Sequence, residues 1–445
     1  MSEILNEPSA QVHQLVDHLF RREAGKIASR LTRIFGAHRL SLAEDAVQFS
    51  MMRALQVWPF KGVPDNPGAW LMRVASNRAR DVLKGEDQRV SYEDAANHQI
   101  KIEVESSTSG SADHQPRFSK ELPTDELALI FVCCHPSLPR PASVALTLKV
   151  VCGFGVTEIA RAYLTAETAI EQRLVRAKRL IRDQRIWFEI PDPDQLPARL
   201  DPVLEVLYLL FTEGYSPTGG DLLVKDDLCA DAIRLAELLV ENPATARPEC
   251  HALLALMLFQ GARFESRVDA SGELLLLEEQ DRNRWDQDKI ARGLLHLAQA
   301  GKGDHITPYH LQAEIAAVHT CTSRYDETDW PHILALYDLL VELQPTPVVL
   351  LNRAVALAQV EGPEKGLAAL DLIKFEGPQD LHPGFALAAG EFHRRQGARG
   401  EAIDHFSRAL KSVRTDPERR FVERKLAALN AELQTQEISS ARLDA

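Results

Sequence analysis

The chain has 445 residues, 45% of them hydrophobic and 26% charged, with a formal net charge of −13. That length exceeds one compact core and implies two or three domains, and the composition excludes a disordered polymer. No apolar run of about 18 residues occurs, which excludes a membrane-spanning helix. The opening MSEILNEPSAQVHQ lacks the apolar stretch of a signal peptide, so a cytoplasmic location is expected. Leu and Ala abound while aromatic residues stand at 6%, so the expected fold class is all-α. The six cysteines form no CxxC pair and read as buried reduced thiols. Three adjacent residues such as Cys133, Cys134 and His135 cannot all face one metal from a helix, and neither metal nor cofactor is expected.

Charge is uneven. Residues 1–186 hold 25 Lys and Arg against 22 Asp and Glu, whereas the remainder holds 26 against 42. The first part is fit to approach a polyanion and the second to repel one.

Along the first zone, residues 10–90, SLAEDAVQFSMMRALQVW opens with Ser41 and Glu44 in capping-box spacing. Leu42, Ala46, Phe49, Met52 and Leu55 recur at helical spacing and predict its inward stripe. After the breaker PFKGVPDNPG, a second helix AWLMRVASNRARDVLKG is expected to end at Gly85. Its inward residues are Trp70, Leu71, Val74 and Leu83, and Arg73, Arg78, Arg80 and Lys84 face out. Residues 91–122 lack periodicity, contain SSTSGSA and read as a flexible linker.

The second zone, 123–186, predicts three helices: PASVALTLKVVCG ending at Gly153, the short VTEIARAYL, and the basic TAETAIEQRLVRAKRLIRDQR. A short helix, a tight turn and an exposed basic helix form a helix-turn-helix arrangement. Ile170, Leu174, Ala177 and Ile181 make the inward stripe of the third helix and leave Gln172, Arg173, Arg176 and Arg179 outward. Arg and Gln pair with base edges in a major groove, so duplex DNA is the expected polyanion.

The third zone, 187–445, is helical throughout. LNRAVALAQVEGPEKGLAALDLI and FALAAGEFHRRQGARGEAIDHFSRAL superpose at an offset of 34, placing Ala354 on Ala388, Ala358 on Phe392, Gly366 on Gly400 and Ala368 on Ala402. That offset is the tetratricopeptide period. No GxxxxGK[ST], HExxH, GxSxG or GxGxxG occurs, so the chain is not expected to be an enzyme.

The order of these zones resembles the small extracytoplasmic-function group of the sigma-70 family of RNA polymerase sigma factors. AEDAVQFSMMRAL resembles the family's segment for docking on core RNA polymerase, and the resemblance assigns that role to Asp45, Val47, Gln48 and Met52. NPGAWLMRVASNRARDVL resembles the part that holds the −10 element of promoter DNA, implying DNA contacts from Asn77, Arg78, Arg80 and Lys84. Trp70 is either a stacking residue of that site or core. AETAIEQRLVRAKRLIR resembles the helix that reads the −35 element, with Gln172, Arg173 and Arg176 toward the groove and Lys178 and Arg179 toward phosphate. Glu171 departs from the basic residue often seen there. The tail is similar to the extension of a sigma subgroup with a tetratricopeptide-like C-terminus, which implies a protein partner there. Within it TEGYSPTGGD reads either as a helix–helix turn or as a regulatory patch carrying Glu213, Gly214, Tyr215 and Asp221. The alternative is a polymerase-independent helix-turn-helix regulator with a tetratricopeptide-like sensor domain.

Overall fold

A computed structural model describes residues 23–87, 118–163, 165–217, 224–269, 272–373, 383–413 and 415–443. Its elements are helical, and the described residues contain one isolated antiparallel bridge, Val268 with Leu274. The all-α expectation holds. The chain divides into two compact units, residues 1–210 with 241–245, and residues 211–240 with 246–445.

In the first unit, α1 (23–35) is followed by α2 (Leu40–Lys61) and α3 (Pro67–Asp87). Residue Pro67 enters α3 at a position where its missing N–H costs nothing, and Asn66 Oδ1 accepts from Ala69 N at 3.0 Å. The buried stripe of α2 is Ala43, Ala46, Val47, Ser50, Met51, Ala54 and Trp58. Leu42, Phe49 and Leu55 are only half-buried and Met52 is 56% exposed, so four of the five residues expected inside lie toward the other face. The α3 core is Leu71, Ala75 and Ala79, with Trp70, Val74 and Leu83 half-buried beside them. Two boundaries also differ. The Ser41–Glu44 box caps nothing, because α2 starts at Leu40 behind a 3₁₀ turn, Ala37–Arg39. Gly85 lies inside α3, which runs on to Asp87.

Residues 91–117 of the expected linker lie outside the described residues, and 118–122 already belong to α4 (Phe118–Cys133). The zone therefore has one more helix than the three expected. Then come α5 (Arg140–Leu146), continued as one π-turn over Thr147–Val151, α6 (Val156–Ala162) and α7 (Glu167–Asp183). Gly153 closes the second of these in the left-handed region, φ 76°. Helix α8 (Leu196–Tyr215) carries the chain across the unit boundary. Its first half, grouped by sequence with the third zone, packs in the first unit: Arg199 Nη2 donates to Phe131 O at 2.9 Å, and Arg140 pairs with Glu205 at 2.5 Å.

The second unit continues through α9 (Asp226–Glu241), α10 (Pro248–Gly261), α11 (Gln287–Ala300), α12 (Pro308–Cys321) and α13 (Trp330–Leu343). It ends with α14 (Pro347–Val360), α15 (Pro363–Asp371), α16 (Pro383–Arg395), α17 (Arg399–Ser412) and α18 (Asp416–Leu443). The pairs α14–α15 and α16–α17 are the two copies seen in the sequence. Ala358 and Phe392, one repeat apart in the first helices, share one apolar cluster. The 34-residue register does not last. Gly366 is buried where Gly400 is exposed, and Ala368 is exposed where Ala402 is buried. The turns between the paired helices are Glu361–Gly362 in the first copy and Gln396–Ala398 in the second, so the second copy drifts out of step. Both turns use a left-handed glycine, Gly362 at φ 98° and Gly397 at φ 79°.

Candidate nucleic-acid and polymerase interface

The outward side of α2 carries Asp45, Gln48 and Met52, all exposed and spaced at i, i+3 and i+7, with half-buried Phe49 between them. This is a mixed polar and apolar stripe fit for a protein partner rather than for solvent alone. Val47, expected on the same surface, is 3% exposed and belongs to the core. It is adjacent in sequence but about 100° away around the helix. Burial, then the neighbouring Glu44 carboxylate, raises the pKa of Asp45.

On α3, Asn77, Arg78 and Lys84 are exposed and Arg80 is half-buried. Arg80 Nη1 donates to Asn77 Oδ1 at 3.3 Å, which holds an amide and a guanidinium together on one face with Arg73 and Lys84. Arg78 leans the other way, its guanidinium 5.0 Å from the centroid of the Phe49 ring on α2. Trp70 packs on the buried Trp58 at 5.4 Å between ring centroids, with the planes tilted by 60°. It is half-buried, so core packing and an open edge coexist in one side chain.

Glu158 Oε2 accepts from Gly155 N at 2.7 Å and fixes the entry to α6. After the turn, α7 buries Ile170, Leu174, Ala177 and Ile181, the stripe expected from its sequence. Its opposite face exposes Glu171, Gln172, Arg176, Arg179 and Arg182, along with Val175 at 66%. Arg176 Nη2 donates to Gln172 Oε1 at 3.3 Å, and Arg179 pairs with Asp183 at 3.3 Å. Such exposed contacts along one helix are worth a few tenths of a kcal/mol, about 0.3–0.5, and give way readily to a phosphate. Arg173 is half-buried at the margin.

Lys178 is the exception. Expected to face phosphate, it instead donates to Glu44 Oε2 of α2 in a very short contact, and Lys149 approaches the same carboxylate at 3.8 Å. Beside this clasp, Arg30 and Arg33 of α1 both bind Asp125 of α4, at 3.3 and 3.0 Å. The zones on either side of the expected linker therefore form one body, with the arginine face of α7 left open. No local pattern in the sequence marks Glu44 or Asp125 for this role. An acidic residue at capping spacing looks the same whether it caps a helix or meets a distant lysine.

In the second unit, Glu213 is 6% exposed and accepts from Lys225 Nζ at 2.8 Å. A Cβ on Gly214 would lie 2.6 Å from Cys229 Sγ and 2.9 Å from its backbone nitrogen. Glu213 and Gly214 are thus interior, fixing the crossing of α8 and α9 rather than forming a surface patch. Tyr215 is half-buried with the Arg267 guanidinium 3.9 Å from its ring centroid. Asp221 lies outside the described residues. Of the three described residues expected in a regulatory patch, Tyr215 borders a cluster of charged side chains.

Among the described residues no helix is long and apolar enough to cross a membrane. Residues 19–89 match the Sigma-70 region 2 family, covering α1 to α3. Residues 199–301 match a Family of unknown function (DUF6596). An uncharacterized protein of Rhizobium meliloti (strain 1021) is 38% identical over 395 residues, 88% of this chain and 91% of that protein. Region 2 in the first unit supports a sigma-70 family sigma factor, and along nearly all its length the chain belongs to one family with that Rhizobium protein.

Proposed function

We propose that the protein is an alternative sigma factor of the extracytoplasmic-function type. It binds core RNA polymerase through Asp45, Gln48 and Met52, and holds the −10 element with Asn77, Arg80 and Lys84. The α7 face of Glu171, Gln172, Arg176 and Arg179 reads the −35 element. The observation that carries this reading is the coincidence of a region 2 match on α1–α3 with an open, arginine-lined face on α7. Affinity for DNA comes mainly from phosphate neutralisation and choice of site from a few outward side chains. The acidic second unit, with its tetratricopeptide-like pairs, regulates this activity and is the place for a protein partner.

The reading makes a geometric demand. Elements named −10 and −35 lie about 25 base pairs apart, roughly 85 Å at about 3.4 Å per step. Helix α7 has 17 residues, about 25 Å, and touches α2 through Lys178 and Glu44. Contact with both elements requires that this clasp and the Asp125 pairs open.

The test is binding of full-length protein to core polymerase. Asp45→Arg, Gln48→Ala and Met52→Glu should each weaken association at least about ten-fold, the scale of losing one or two interface contacts. Unchanged binding by all three overturns the docking assignment. DNA binding that persists without any association with core polymerase favours the polymerase-independent regulator instead.

A further inference from the structure

We propose that Arg263, Arg267 and Arg282 of the second unit form a binding site for a small phosphate-type oxyanion. Two of the three pairs of guanidiniums lie in each other's field. Arg263 feels the positive charge of Arg267, and Arg282 that of Arg263. Among the described residues none of the three has an ion pair, although carboxylates are plentiful in this unit. Arg292, Arg353, Arg394 and Arg424 all find one there. The partners of the three are neutral. Arg263 Nε donates to Gln280 Oε1 at 3.2 Å, Arg267 to the Tyr215 carbonyl, and Arg282 Nη1 to the His319 carbonyl at 2.7 Å. Their flat faces are covered by rings: the Arg282 and Arg263 carbons sit 4.7 and 5.5 Å from the Trp285 centroid, and Arg267 sits over Tyr215.

A guanidinium does not shed its proton; Arg267 is buried and Arg263 and Arg282 are half-buried, so this cluster of positive charge is unfavourable unless an anion joins it. Glu327 and the Tyr325 hydroxyl lie in the field of Arg282 but out of bonding range. Hydrogen-bond capacity is also left over. Arg282 Nη2, Trp285 Nε1, His319 Nδ1 and Thr328 Oγ1 are buried and have no partner. Three of these four are donors or readily donate, and His319, kept neutral at neutral pH by burial and by the two nearby cations, donates from Nδ1 in its Nδ1–H tautomer. Arginine forks match the oxygens of phosphate, and a dianion offsets more of the triple charge than a monocarboxylate does. All three arginines fall within the family segment 199–301, and Tyr215 of the TEGY stretch lies against Arg267.

This site goes beyond the sigma factor reading and stands without it, because its test needs neither polymerase nor DNA. Inorganic phosphate is titrated against the full-length protein at constant ionic strength balanced with chloride, followed by melting temperature and calorimetry. The expected result is a saturable rise in melting temperature, reproduced by sulfate, with Arg263→Gln and Arg282→Gln each weakening binding at least about ten-fold. If those variants fail to fold, Arg267→Lys keeps the charge, loses the fork and should still weaken binding by a similar factor. No rise beyond that given by chloride overturns the proposal. An equal rise in wild type and variants overturns it as well, since that leaves an adventitious ion only.

Discussion

His319 on α12 has its pKa lowered from 6.5 to about 4 by burial, then by Arg263 and Arg282. The folded protein therefore keeps the imidazole neutral where the unfolded chain protonates it. Stability is complete above pH 6.5 and declines as the pH falls toward 4, by about 2 kcal/mol between pH 7 and 5 from this group alone. Urea unfolding at the two pH values measures it, and His319→Gln should flatten that slope; an unchanged slope shows that the histidine is not buried neutral. The cysteines make a second case at this scale. Burial raises the thiol pKa of Cys134, Cys229 and Cys250 to about 12, and Cys133 also lies wholly inside. Cys321, expected with the rest to be buried, is exposed. A thiol reagent should modify one cysteine per folded chain and six after unfolding, and Cys321→Ser should abolish the fast phase.

At the scale of elements, two glycines that the sequence aligns should behave oppositely. A Cβ at Gly366 would meet Ala358 Cβ at 2.6 Å and the Phe392 ring at 2.8 Å, whereas one at Gly400 meets nothing within 4 Å. Gly366→Ala should cost about 1–3 kcal/mol through overpacking, and Gly400→Ala should gain about 0.5–1 kcal/mol from helix propensity. Equal effects in thermal melts contradict the packing of α14–α17. Helix α7 was legible because its apolar residues lie on one side only. Helix α2 was not, because Leu42, Phe49 and Met52 lie on the outer side while the core side is mostly small residues, Ala43, Ala46, Ser50 and Ala54 among them. Large apolar residues at helical spacing mark a face that wants cover. They do not say whether the cover is the same chain or another protein.

For the whole molecule, the ion pairs of Glu44 and Asp125 join elements 90 or more positions apart in the chain, which is why no window of sequence shows them. They tie α1 to α4 and α2 to α7 within the first unit; under the proposed function, contact with both elements separates its two candidate DNA faces. Fluorophores at positions 56 and 184 of the full-length protein, both exposed and outside the proposed contacts, should report a short distance in the free state and a longer one in complex with polymerase and promoter; a constant distance contradicts the opening. Whether this chain directs polymerase to promoters is tested by transcription from genomic DNA with core polymerase reconstituted with purified full-length protein, the transcript starts being sequenced. The starts should require the protein, share one upstream sequence motif and disappear with Arg176→Ala and Asn77→Ala combined. Starts identical with and without the protein, in a mixture where another sigma factor works, would contradict the proposed function.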